Sequence, residues 1–131
     1  MQKPLQQLKE FNLAFGGYRQ DSPTMDIPAE IKSLRIKLMR EELAEVETAI
    51  ANNNLLNLSK ELSDLLYVLL GTVEAFGLST KFPALFSEVH RSNMSKLDDN
   101  GKAIIREDGK FLKSKNYTKP DLEKVLTKNA T

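Results

Sequence analysis

Apolar residues recur at helical spacing through most of the first hundred positions, and the pattern changes character after them. Near the start, Leu5, Leu8, Phe11 (or Asn12) and Phe15 share one face of "PLQQLKEFNLAF", and Pro4 suits a first turn. "GGYRQDSPTMDIP" concentrates Gly, Pro, Asp and Ser and reads as a loop. From Ala29 to about Ala51 the chain is amphipathic and closes on "NNN", where asparagine tolerates helix-ending conformations. The run from Leu55 to about Phe76 is apolar on most sides, with Gly77 as its stop, and predicts a central helix. Another helix is expected within "STKFPALFSEVHRSNMSKL", starting near Pro83. "AIIREDGKFL" is β-branched and aromatic around Asp108-Gly109 and predicts a hairpin; "PDLEKVLTKNAT" closes as a short helix or frays.

The expected fold class is therefore all-α: a helical bundle with a small C-terminal β-hairpin. Its apolar surface faces several ways, so completion as a homodimer or homotetramer is expected. A length of 131 residues fits one domain over 1–131, with the helical core at about 4–97 and the hairpin and tail at about 98–131.

Carboxylates interrupt this pattern. On the second helix Ile31, Leu34, Leu38, Met39, Leu43, Val46 and Ile50 define an apolar arc, with Glu42 near its middle and Glu45 at its margin. Glu41 lies just outside the arc, and Glu47 on the opposite face. On the next helix Glu61 lies beside Leu58, Leu65 and Val68, and Asp64 is one turn away. An ionised carboxylate on a packing face is costly without a compensating positive charge, and several together raise one another's pKa. From Glu41 to Asp64 there are six acidic residues and one base, Lys60. One divalent cation would offset several of these charges at once. Glu42 and Glu45 are three apart, as are Glu61 and Asp64, so each pair projects from one side of its helix. Antiparallel helices joined by the short asparagine connection would bring all four together. An all-oxygen shell favours Mg2+ or Mn2+ over zinc or copper. Neither helix carries Glu-x-x-His, which disfavours a di-iron bundle.

The remaining composition narrows the classes. Net charge is +1, which gives the whole chain no strong pull toward nucleic acid or anionic membrane. Gly101 to Pro120 holds six basic and two acidic residues, but few interleaved aromatics, so nucleic acid is disfavoured as a partner. The absence of cysteine rules out disulfides and thiolate metal sites. "LLYVLL" is too short to span a bilayer, and the expected setting is soluble and cytoplasmic.

"EELAE" followed by "ELSDLLYVLLG" resembles the Glu-x-x-Glu, Glu-x-x-Asp signature of the all-α nucleoside triphosphate pyrophosphohydrolases. That superfamily includes MazG-type enzymes, phosphoribosyl-ATP pyrophosphohydrolase and the dimeric dUTPases. "FNLAFG", "EVHRSNMSKL" and "REDGKFLKSKNYTKPDL" extend the likeness over nearly the whole chain. The resemblance implies hydrolysis of a nucleoside triphosphate between its α- and β-phosphates, in nucleotide-pool house-cleaning or on phosphoribosyl-ATP or dUTP. It implies metal ligands at Glu42, Glu45, Glu61 and Asp64, and Glu41 as the residue that positions or deprotonates the attacking water. It also implies Asn93 and Lys96 as phosphate ligands. Arg91 either holds phosphate or pairs with Glu88, His90 either contacts substrate or is structural, and Tyr67 and Phe76 read as core. The competing class is a non-catalytic helical module, an oligomeric scaffold or nucleotide sensor.

Overall fold

The structure is a computed structural model, which describes residues 1–128; Asn129, Ala130 and Thr131 of the expected tail lie outside the described residues. Five helices make up 60% of these residues, with one two-stranded antiparallel hairpin near the C-terminus, as the periodicity predicts. Contacts divide the chain into two compact units, Met1–Thr80 and a second beginning at Lys81.

The first unit holds α1 (Gln2–Phe15), α2 (Ala29–Ala51) and α3 (Leu55–Ala75). α3 packs against both of the others. Its neighbour α2 is reached through three asparagines, each with its own task. Asn52 caps α2, Asn53 takes the left-handed conformation at φ 50°, and the Asn54 side chain accepts the Asn57 amide at 3.0 Å as the α3 N-cap. So short a link makes α2 and α3 an antiparallel pair.

α3 ends in a Schellman motif. The Leu78 amide donates to the Val73 carbonyl and that of Gly77 to Glu74, with Gly77 at φ 70°. A Cβ on Gly77 would lie 2.0 Å from the Ser22 carbonyl oxygen, so the loop over this helix end needs glycine for space as well as for conformation. The loop is fastened there by the Gln20 amide to Glu74 and the Thr24 amide to Phe76.

The unit's apolar core is Leu5, Leu8, Ile27, Val46, Ala49, Leu70, Val73 and Ala75. On α1 the buried position is Asn12 rather than Phe11, and Phe15 is exposed. Phe11 instead stacks on Phe15 at 4.5 Å and meets Tyr67 edge-on at 5.4 Å. Tyr67, expected in the core, is therefore partly exposed, because α1 covers only one side of α3. The arc expected to bury α2 buries only Val46 of its seven members, joined by Ala49; Leu34, Leu43 and Ile50 stay exposed.

The second unit holds α4 (Phe82–Met94), β1 (Ile104–Ile105), β2 (Phe111–Leu112) and α5 (Leu122–Thr127). Ile104 pairs with Leu112 and Ile105 with Phe111. Arg106 and Gly109 close the tip, where the Arg106 amide donates to Lys110 and Gly109 takes φ 89°. α4 holds the following segment by side chains: Ser92 Oγ donates to the Thr118 carbonyl at 2.8 Å, and Ser95 Oγ accepts the Thr118 amide at 3.0 Å. Among the described residues, no helix is long and apolar enough to cross a membrane.

Candidate metal centre

Two contacts fix the register of α2 on α3. Arg35 donates to the Val68 carbonyl at 2.8 Å and to Thr72 Oγ1 at 3.2 Å. Two turns further along α2 stands Glu42, and its partners on α3 have receded to Glu61 and Asp64, as antiparallel helices require. One carboxylate oxygen from each of these three residues lies within 4.8 Å of the others. Glu61 is buried, while Glu42 and Asp64 are half-buried.

The charges are incompletely compensated. Lys60 Nζ donates to Asp64 Oδ2 at 2.8 Å and to Glu61 Oε1 at 3.1 Å, so an ammonium already stands where a cation is favoured. Those two carboxylates hold Lys60 well above the usual lysine range. Glu42 is pushed upward, first by partial desolvation, then by the negative charges of Asp64 and Glu61. Glu45 adds a smaller push of the same sign. It is exposed and stands outside the group of three, although its charge reaches Glu42.

A hard dication suits this donor set. Two oxygens on opposite sides of a Mg2+ ion are ~4.2 Å apart, given metal–oxygen distances of ~2.1 Å. The observed 4.8 Å envelope is within reach of small side-chain rotations. All three donors are carboxylate oxygens, the ligand class of Mg2+, Mn2+ and Ca2+ rather than of soft metals.

The other expected site residues are placed as follows. Glu41 is exposed and lies apart from the group of three; Lys37 Nζ approaches its Oε1 at 4.0 Å. It borders an open cleft on α2 of about 400 Å³, with Ser33, Ile36, Lys37 and Arg40. In the second unit Asn93 and Lys96 line a cleft of about 410 Å³ with Leu97, Ala103, Phe111 and Leu112. Arg91 resolves toward its pairing alternative: Nε donates to Glu88 Oε1 at 2.7 Å and Nη1 to Thr118 Oγ1 at 2.7 Å.

Sequence reasoning passed over Arg35 and the glycine that admits it. A Cβ on Gly71 would lie 2.5 Å from the Arg35 guanidinium, and a glycine inside an apolar helix was the available signal. It also passed over Glu74, which is fully buried with Arg19 Nε 3.5 Å from its Oε2. The signal there was one glutamate within "LLGTVEAFG".

The profile of the phosphoribosyl-ATP pyrophosphohydrolase family matches residues 8–93, a stretch that includes the three gathered carboxylates and Asn93. No curated protein matches the chain. The matched span covers well over half of the 131 residues, and the chain belongs to the phosphoribosyl-ATP pyrophosphohydrolase family, a member of the MazG-like all-α nucleoside triphosphate pyrophosphohydrolase superfamily.

Proposed function

We propose that the protein hydrolyses a nucleoside triphosphate between its α- and β-phosphates, to the monophosphate and pyrophosphate, in a reaction dependent on Mg2+ or Mn2+. Family membership supports pyrophosphohydrolase activity on a nucleotide. The observation that carries the finer reading is the meeting of Glu42, Glu61 and Asp64 from two antiparallel helices. Both units act as one functional domain, a reading supported by a family match that crosses the Thr80–Lys81 boundary.

Glu42, Glu61 and Asp64 would hold the cation, with Glu45 as a fourth carboxylate nearby in charge. When bound, such an ion neutralises phosphate oxygens and polarises the phosphorus toward attack. The chain's own residues supply the rest. Glu41 is assigned to orient the water and take its proton; its support is an exposed carboxylate next to Glu42 in sequence. The water oxygen bonds to phosphorus as the anhydride phosphorus–oxygen bond breaks, and pyrophosphate leaves with that bond's electrons. Asn93 and Lys96, one turn apart at the end of α4, are assigned to phosphate oxygens, an amide and an ammonium suiting that anion.

Phosphoribosyl-ATP is the second reading of the substrate, favoured by the description of the matching family; dUTP belongs in the same comparison. A homodimer or homotetramer is supported by the exposed leucines and isoleucines of α2 and α3. A cytoplasmic setting would suit a nucleotide substrate.

A product-resolved panel of NTPs, dNTPs and phosphoribosyl-ATP, each with Mg2+ and with Mn2+, tests the assignment. Metal-dependent release of monophosphate and pyrophosphate, lost in Glu42→Gln, is expected. Absence of product across the panel would end the enzymatic reading.

A further inference from the structure

The proposed reaction leaves the nucleoside half of its substrate without a binding group. One cleft, lying wholly within the second unit, has the composition to take it. Its volume is about 410 Å³, inside the range of roughly 300–1,000 Å³ usual for small-molecule sites. Leu97, Ala103, Phe111 and Leu112 supply an apolar lining, and Asn93 and Lys96 are its two polar members. An apolar cleft with a few placed polar groups is the usual make-up of a ligand pocket.

Hydrogen bonds to the backbone hold this cleft in shape. The Ser114 amide donates to the Lys96 carbonyl at 3.2 Å, and Ser114 Oγ to the Leu97 carbonyl at 2.7 Å. The Asp98 amide donates to the Lys102 carbonyl at 2.8 Å. Both flanks of the hairpin are thereby tied to the segment that follows α4. Pairing of Phe111 with Ile105 then sets the backbone of an aromatic residue that is 63% exposed. A ring left uncovered on so small a hairpin gains nothing for the core, whereas an aromatic residue and an ammonium lining one cleft suit a particular occupant. The surrounding segment, Gly101 to Pro120, carries six basic residues against two acidic ones; Arg106 and Lys115 are paired with Asp108 and Asp99, and the remaining excess of lysines favours an anion. A flat, π-faced group joined through a short sugar to several negative charges is a nucleotide.

We infer that this cleft binds the nucleoside moiety of the substrate, with Phe111 as the stacking surface for its base. The inference rests on the proposed role of Asn93 and Lys96 at the phosphates. Stacking is indifferent to base identity, so the cleft accepts more than one base and the discrimination among them is modest.

Calorimetric titration of the full chain with α,β-methylene nucleoside triphosphates, and separately with inorganic tripolyphosphate, tests it. The wild type should bind the nucleotides more tightly than tripolyphosphate. Phe111→Ala should weaken the nucleotides roughly 5- to 150-fold and leave tripolyphosphate within about twofold, while Phe111→Tyr stays near wild type. In turnover, the larger part of the Phe111→Ala loss should fall on KM rather than kcat. Equal weakening of both ligands, or none of either, overturns the inference, as does failure of Phe111→Tyr to retain affinity. A wild type that hydrolyses nucleotides while Phe111→Ala binds them normally removes this cleft and leaves the proposed reaction standing. A wild type that neither binds nor hydrolyses removes both.

Discussion

Partial desolvation, then the charges of Asp64, Glu61 and Glu45, disfavour the ionised form of Glu42, while Lys60 opposes them. Repulsion of that kind is relieved when the charge is deleted. Glu42→Gln should therefore melt roughly 1–3 °C higher than the wild type in chelator, by thermal denaturation. The same variant should bind Mn2+ at least roughly 10- to 100-fold more weakly. A purely structural glutamate would give the opposite first result. The acids were legible because their three-residue spacing and their intrusion into an apolar stripe are local signals. Helical spacing left Phe11 and Asn12 as alternatives on α1, and the structure buries Asn12. The pairing of Arg19 with buried Glu74 depends on segments far apart in sequence, which no periodicity reports.

At the scale of elements, helix ends carry most of the information that fixed the fold. Gly77 and Gly16 share nearly the same left-handed backbone, φ 70° and 71°. Alanine at Gly16 meets nothing within 4 Å, whereas at Gly77 it meets the Ser22 backbone at 2.0 Å. Chemical denaturation should show Gly16→Ala costing about 1 kcal/mol and Gly77→Ala roughly 2–4 kcal/mol, the difference being the close approach of the loop. α4 offers a pH test. Arg91 and the Asp121 amide hold the Glu88 carboxylate down, from 4.5 to about 2. A lowered folded-state pKa gives stability that is complete above the ordinary value and is lost as pH falls toward the lowered one. Unfolding followed between pH 4.5 and about 2 should show that loss, and Glu88→Gln should reduce it, leaving the part that Asp99 and Asp108, also held down by their partners, contribute. The helix ends, the asparagine link and the hairpin tip were readable because caps and turns use few residue types. The extent of burial was not: a helical wheel identifies an apolar arc without showing what covers it. Leu34, Leu43 and Ile50 illustrate the gap.

For the molecule as a whole, the consequence of α2 lying antiparallel on α3 is a shared set of oxygens that neither helix could assemble alone. Family membership, nucleotide chemistry and the proposed substrate cleft all gain their meaning from whether a hard cation occupies that set. Calorimetric titration of the metal-free chain with Mn2+, beside Glu61→Gln, measures this directly. Saturable binding by the wild type that is abolished or weakened at least roughly 100-fold in Glu61→Gln is the predicted result. Absence of binding to the wild type, or equal binding by both proteins, would contradict it.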